Sequence, residues 1–144
     1  EIKKISADLN NGKCKFAIAM IDLNFLKKMN DSYGHDKGNL AIKKLCMLVC
    51  NIFSHSPVFR IGGDEFVIIL KNRDYDNANE LIYKFNSEIE MISHDDNLEP
   101  WDRISAAIGV AYYDSKTDKT VDEVFKRADA NMYKRKQEMK ALRE

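Results

Sequence analysis

Hydrophobic and polar positions follow two periods along this chain, and the switches between them mark the elements. KFAIAMIDL (15 to 23) is a nearly unbroken apolar run that stops at a charge. That pattern predicts a central strand covered on both faces, with Asp22 at its C-terminal end. NFLKKMNDSYGHDKGN follows, rich in turn formers after its first helical turn, and reads as a loop returning beneath the strand. LAIKKLCMLVCNIF (40 to 53) carries apolar residues at 41, 45, 48, 49 and 52, one face of a core helix.

PVFRIGGDEFVIILK (57 to 71) has strand character on both sides of Gly62 and Gly63, which predicts a hairpin whose turn uses glycine for positive φ. Residues 75 to 93 form a helical stripe through Ala78, Leu81, Ile82, Phe85, Ile89 and Ile92. RISAAIGVAYYD (103 to 114) reads as a further strand. Thr120 and Glu123 have capping-box spacing ahead of a last helix bearing Val124, Phe125, Ala128 and Met132. The order strand, helix, strand, strand, helix, strand, helix is the βαββαβ ferredoxin-like plan. It is an α+β fold with a mostly antiparallel central sheet flanked by helices. Residues 1 to 144 are expected to make one such domain, without internal repeats or linkers.

In that plan the first strand neighbours the central hairpin, so Asp22 meets Asp64 and Glu65 at the rim of the sheet. Three partly buried carboxylates repel one another, and a divalent cation resolves the conflict. Mg²⁺ prefers oxygen ligands and takes one or two carboxylates from protein, leaving room for water and phosphate oxygens. Asp22 and Asp64 are the leading ligands, with Glu65 close to the same metal. Gly62 and Gly63, lacking Cβ, also let a large flat ligand or a triphosphate approach the main chain.

Composition narrows the partner. Hydrophobic residues make 44% of the chain and charged ones 32%, ordinary for a globular domain, and no apolar run is long enough to span a bilayer. Direct membrane contact is therefore not expected. Lys plus Arg and Asp plus Glu both total 23, so the net positive field of a nucleic-acid binder is missing. Any polyanion held here is small. Three irregularly spaced cysteines argue for a reducing compartment. Cys46 and Cys50, with no second Cys/His pair to complete a zinc site, read as buried thiols of an apolar stripe.

Lys136, Lys140 and Arg143 fall at i, i+4 and i+7 on the last helix, a cationic face suited either to terminal phosphates or to the helix dipole. Lys27 and Lys28 follow Asp22 by about one helical turn. Asn30, His35 and Asn39 lie in the expected returning loop. There, amide side chains can read a base edge or simply make Asx turns.

RIGGDEF, preceded by IDLNFLKKMNDSYGHDKGN and followed by SAAIGVA and ADANMYKRKQEMK, resembles the GGDEF family of diguanylate cyclases in motif identity, order and spacing. The likeness covers nearly all of residues 15 to 140. It implies a fold of the nucleotidyl-cyclase and polymerase-palm type. The implied enzyme condenses two GTP into cyclic di-GMP with loss of two pyrophosphates, each domain holding one GTP in a transient head-to-tail homodimer. By this likeness Asp22, the backbone carbonyl of Leu23 and Asp64 bind Mg²⁺ or Mn²⁺, with Glu65 nearby. Asp64 or Glu65 helps deprotonate the attacking 3′-hydroxyl, and Lys27 offsets charge during transfer. Asn30 and Asn39 recognise guanine, Phe25, His35, Gly62 and Gly63 border the nucleotide, and Lys136 with Lys140 hold the terminal phosphates.

The chain also departs from the family pattern. Asn39 stands where Asp is common, losing a charge-assisted hydrogen bond, and Lys140 replaces a frequent Arg, giving up the bidentate fork. An inhibitory product site of the form Arg-x-x-Asp often precedes the hairpin, and here its positions are Phe53 and Ser56. The family's leading segment, Asp-x-Leu-Thr-Gly-Leu-x-Asn-Arg, is missing ahead of Glu1. The domain is therefore expected to be excised from a longer protein with an N-terminal sensor domain, cytoplasmic itself although its parent is open to membrane tethering. Other readings stay open at this stage: a GTP-binding regulatory module with weak or no turnover, an interaction domain with an incidental acidic turn, and a mononucleotide cyclase or palm-type enzyme.

Overall fold

The computed structural model describes residues 15–143 of the 144-residue chain. Its sheet has four strands: β1 (Ala17–Leu23), β2 (Val58–Ile61), β3 (Glu65–Leu70) and β4 (Ala106–Tyr112). They lie in the order β2-β3-β1-β4, and each neighbouring pair is antiparallel. This is the ferredoxin-like arrangement expected from the pattern.

Strand period two explains why both faces of β1 are apolar. Ala17, Ala19, Ile21 and Leu23 join Phe66, Ile68 and Leu70 of β3 on one face. That face is covered by α2 (His35–Ile52), through Ala41, Leu45 and Val49, and by α4 (Ala78–Ser93), through Phe85 and Ile89. Phe16, Ile18 and Met20 join Val67 and Ile69 on the opposite face, beneath α5 (Val121–Arg143) and its Val124, Ala128 and Met132. By the same alternation Asp22 and Glu65, next in each series, belong to the α5 side.

Helix α5 approaches β4 so closely that Gly109 cannot carry a side chain. A Cβ there would lie 2.6 Å from the Ala128 carbonyl oxygen. Two side chains of α5 also engage carbonyls of β4: Asn131 Nδ2 donates to Val110 O at 2.8 Å, and an Arg127 guanidinium NH₂ donates to Tyr112 O at 2.6 Å. At the start of α5, Thr120 Oγ1 accepts from the Glu123 amide at 3.3 Å. The Glu123 carboxylate reaches back to the Lys119 amide rather than to that of Thr120.

The structure corrects three expectations. The stretch after β1 is no loop: α1 (Leu26–Tyr33) ends at Gly34, whose φ of 90° lets the chain turn directly into α2. Its turn formers are spaced on helix surfaces, so Asn30, His35 and Asn39 are all helical. The helix expected over 75 to 93 is split into α3 (Asn72–Asp76) and α4, with a single 3₁₀ turn at Pro100–Asp102 before β4. Cys46 is only half-buried and Cys50 is exposed, because they lie beside the buried positions 45 and 49 rather than on them. Cys14 and the side chain of Arg143 lie outside the described residues.

Candidate active site

The site is built on one register. Asp22 pairs with Glu65 across the β1–β3 ladder, which places two carboxylates directly opposite each other on the α5 side. Like charges so placed destabilise a sheet unless something cationic stands between them. Ile61 pairs with Glu65, so Gly62, Gly63 and Asp64 form a three-residue turn, with Gly62 left-handed at φ 70°. Glu65 is thus the first residue of β3 rather than part of the turn. The turn is held from two sides: the Leu23 amide donates to Asp64 O at 3.0 Å, and Arg60 donates to Gly63 O from Nε at 3.2 Å and from an NH₂ at 2.7 Å. The Asp64 carboxylate is thereby brought beside the other two.

One ligand atom from each of Asp22, Asp64 and Glu65 lies within 4.8 Å of the others. Asp22 is 7% exposed, and burial, which outweighs the Lys136 ammonium beside it, pushes its carboxyl up to about 6; Asp64 and Glu65 add to the rise. Glu65 is also raised, first by burial and then by Asp64 and by Asp129 of α5, against the opposing charge of Lys136. Lys136 Nζ donates to Asp22 Oδ2 at 2.7 Å, while Asp22 Oδ1 is buried without a hydrogen-bond partner among the described residues. Hard oxygen donors, mutual repulsion and an orphaned carboxylate oxygen fit a divalent cation such as Mg²⁺ or Mn²⁺.

The other predicted residues lie on the segments that follow β1, on the hairpin turn and on α5. Leu23 is buried at the end of β1. Asn24 ties that end to the chain entering β4: its amide donates to Ser105 O at 2.7 Å and its Nδ2 to Ser105 Oγ at 3.1 Å. Phe25 takes a left-handed conformation (φ 62°, ψ 24°), and α1 begins after it without a side-chain cap. Lys27 is exposed in the first turn of α1. Asn30 and Gly38 mark where α1 and α2 touch, since a Cβ on Gly38 would stand 1.8 Å from Asn30 Oδ1. That oxygen is buried and has no hydrogen-bond partner among the described residues. His35 and Asn39 are exposed on the first turns of α2, and Lys140 is exposed one turn beyond Lys136 on α5. A Cβ on Gly62 or Gly63 would meet nothing within 4 Å, so the protein itself leaves open space over the turn.

Three contributors were missed by residue-level reading: Arg60, Asn24 and Asp129. Arg60 stands in the quoted RIGGDEF, but its partner is a main-chain oxygen that no side-chain pattern announces. Asp129 faces Glu65 only because α5 crosses the sheet.

The model of the family described as "Diguanylate cyclase, GGDEF domain" matches residues 1–141. The chain belongs to the GGDEF family. Among solved structures, this GGDEF domain is similar to the active GGEEF domain of a diguanylate cyclase from Vibrio cholerae, at 26% identity and TM-score 0.75, covering 94% of this chain and 90% of that one. It shares its fold with the GGDEF domain of DgcB from Caulobacter crescentus, a structure in complex with c-di-GMP, at 21% identity and TM-score 0.78, covering 94% and 80%. It is also similar to an uncharacterized membrane protein of Staphylococcus epidermidis, 30% identical over 139 residues, which are 95% of this chain and 39% of that protein. A counterpart in Staphylococcus aureus strain USA300 is 31% identical over 130 residues, or 89% and 36%. The GGDEF domain thus spans under two-fifths of the length of these relatives. Among its described residues no helix is long and apolar enough to cross a membrane.

Phe53 and Ser56, the positions that the resemblance matched to an Arg-x-x-Asp site, are packed and hydrogen-bonded within the domain. Phe53 is 0% exposed and packs against Phe85, and Ser56 Oγ together with the His55 amide donates to the buried Asp74 carboxylate. Both positions are used in closing the turn between α2 and β2.

Proposed function

We propose that this GGDEF domain is a diguanylate cyclase, joining two GTP into cyclic di-GMP and releasing two pyrophosphates. The observation that carries the reading is the convergence of Asp22, Asp64 and Glu65 within 4.8 Å at a glycine turn. Asp22, Asp64 and the Leu23 carbonyl would hold Mg²⁺ or Mn²⁺, with Glu65 beside them. When bound, the cation supplies charge stabilisation to the attacking and leaving oxygens of an in-line displacement.

The chain's own residues do the rest. In each half-reaction a 3′-hydroxyl oxygen bonds to an α-phosphorus, the bond to the β-phosphate oxygen breaks, and pyrophosphate leaves. Glu65, whose carboxyl is raised by burial and by Asp64, is suited to take the hydroxyl proton. Lys27, the N-terminus of α1, Lys136 and Lys140 offer positive charge to the triphosphate. The unpartnered Asn30 Oδ1 accepts from guanine N–H groups, Asn39 and His35 border the base from α2, and Phe25 borders it from the turn before α1. The open space over Gly62 and Gly63 admits the nucleotide against the main chain. One notch holds one GTP, so ring closure takes two domains meeting head to tail.

The relatives' greater length and their description as membrane proteins support a domain that is the output end of a longer, tethered chain with an N-terminal sensor, working on the cytoplasmic side where GTP is found. Incubation of concentrated protein with GTP and Mg²⁺, followed by chromatography, is expected to yield cyclic di-GMP, and Asp64→Ala is expected to yield none. An absence of product from the unsubstituted chain even under forced dimerisation overturns the reading. The alternative reading is a GTP-binding regulatory module with weak or no turnover. Calorimetric GTP binding without turnover selects it.

A further inference from the structure

Lys136 stands where a metal's charge is wanted. Its ammonium lies 2.7 Å from Asp22 Oδ2, joining residues 114 positions apart, and its side chain is 30% exposed. The same charge acts on Glu65 as well as on Asp22, so one ammonium serves two of the three carboxylates. It serves them incompletely, because Asp22 Oδ1 stays buried and unpartnered. A compact monovalent head on a flexible stem is a replaceable occupant of such a notch. A divalent cation and this ammonium compete for the same Asp22 oxygen.

We propose that Lys136 is the resting counter-ion of the carboxylate notch, displaced by an entering divalent cation and by that displacement freed to meet the nucleotide's phosphates. The proposal rests on the reading of this notch as a metal and nucleotide centre. It adds an order of events: cation occupancy and phosphate binding favour each other through one side chain, and such coupling is reciprocal. Lys140 supplies the contrast. It lies one turn further along α5, is exposed, and is not among the groups acting on Asp22 or Glu65.

The test is nucleotide-free Mn²⁺ binding to the 144-residue chain, read by the electron paramagnetic resonance signal of free Mn²⁺, for the unsubstituted protein, Lys136→Met and Lys140→Met. Lys136→Met is expected to bind Mn²⁺ about tenfold more tightly, within the range usual for coupling between two sites, while Lys140→Met is unchanged. Both variants are expected to bind MgGTP more weakly. Unchanged Mn²⁺ affinity in Lys136→Met overturns the proposal, as does an equal gain in Lys140→Met, which would make the effect one of net charge alone. If Lys136→Met does not fold, Lys136→Gln removes the charge with less loss of polarity and is judged by the same outcomes. The readout involves no turnover, so tighter Mn²⁺ binding in a chain that makes no cyclic dinucleotide supports this inference while removing the cyclase reading.

Discussion

A methyl group on Gly109 would stand 2.0 Å from the amide nitrogen of Met132 and 2.5 Å from its Cα. The obstacle is helix main chain, which cannot rotate aside as a side-chain tip can. Helix α5 therefore rests on β4 at a distance only glycine allows, and that distance sets where Lys136, one turn past Met132, meets Asp22. Gly109→Ala is expected to cost about 1–3 kcal/mol in chemical denaturation, the usual range for overpacking. It should also weaken MgGTP binding by shifting Lys136. A variant as stable as the unsubstituted chain would show that α5 can lift without loss.

Gly38→Ala is expected to separate stability from recognition. Its new methyl would meet Asn30 Oδ1 at 1.8 Å and Leu26 Cδ1 at 3.3 Å, both ends of side chains that can move. Alanine in mid-helix favours folding by about 1 kcal/mol over glycine, offsetting part of that displacement. The expected result is a melting temperature within a few degrees of the original and GTP affinity lowered about tenfold, as for loss of one good hydrogen bond to the base. Calorimetry with GTP alongside thermal melts checks both halves.

Asp64→Ala removes a carboxylate but not the Leu23 amide bond, which uses the Asp64 main-chain oxygen. The hairpin is expected to stay folded and, in chelator, to melt slightly higher because one repulsive charge is gone. Turnover should fall by about 10³-fold or more, matching the several kcal/mol a bound cation supplies. Mg²⁺ should no longer raise the melting temperature. A variant that both retains Mg²⁺ stabilisation and turns over GTP would remove Asp64 from the centre.

Two buried acids are expected to give pH effects of opposite sign. Asp22 titrates at about 6 when folded against a reference of 3.8, so between those values the folded chain binds more protons and its metal-free stability falls as pH rises. Asp118 is held below the usual range, chiefly by its hydrogen bonds from Arg127, so its contribution is complete at neutral pH. That contribution is lost only as pH drops beneath the ordinary carboxylate range. Melts in chelator from about pH 4.5 to about pH 7.5 should show this decline, to which Glu65, also raised by burial, contributes, and Asp22→Asn should make it shallower. Saturating Mn²⁺, which favours the deprotonated acid, should stabilise more strongly as pH rises through about 6. An identical pH dependence in Asp22→Asn contradicts the assignment.

The long apolar runs carried the fold because strand and helix periods differ and each segment buries a continuous face. The meeting of Asp22 with Asp64 and Glu65 was legible for the same reason: strand order follows from element order, and the glycine pair locates the turn. The polar residues from Leu26 to Gly38 suit loops and solvated helices alike, so the pattern alone does not separate the two. Only contact between Asn30 and Gly38 decides the matter. Lys136 was placed on a cationic face for phosphates, but its bond to Asp22 depends on how α5 crosses the sheet, a distance written in the single side-chain-free position at 109. Cys50 lies one helical position past the buried Val49, close enough in sequence to share its apolar stripe and yet exposed.

Arg127 and Asn131 have a consequence beyond the local bonds they make. By occupying the carbonyls of Tyr112 and Val110 they deny the outer margin of the sheet to a stranger's main chain. Ribbon-like growth from copy to copy along that margin is thereby hindered, and encounters between copies are left to the loops and notches.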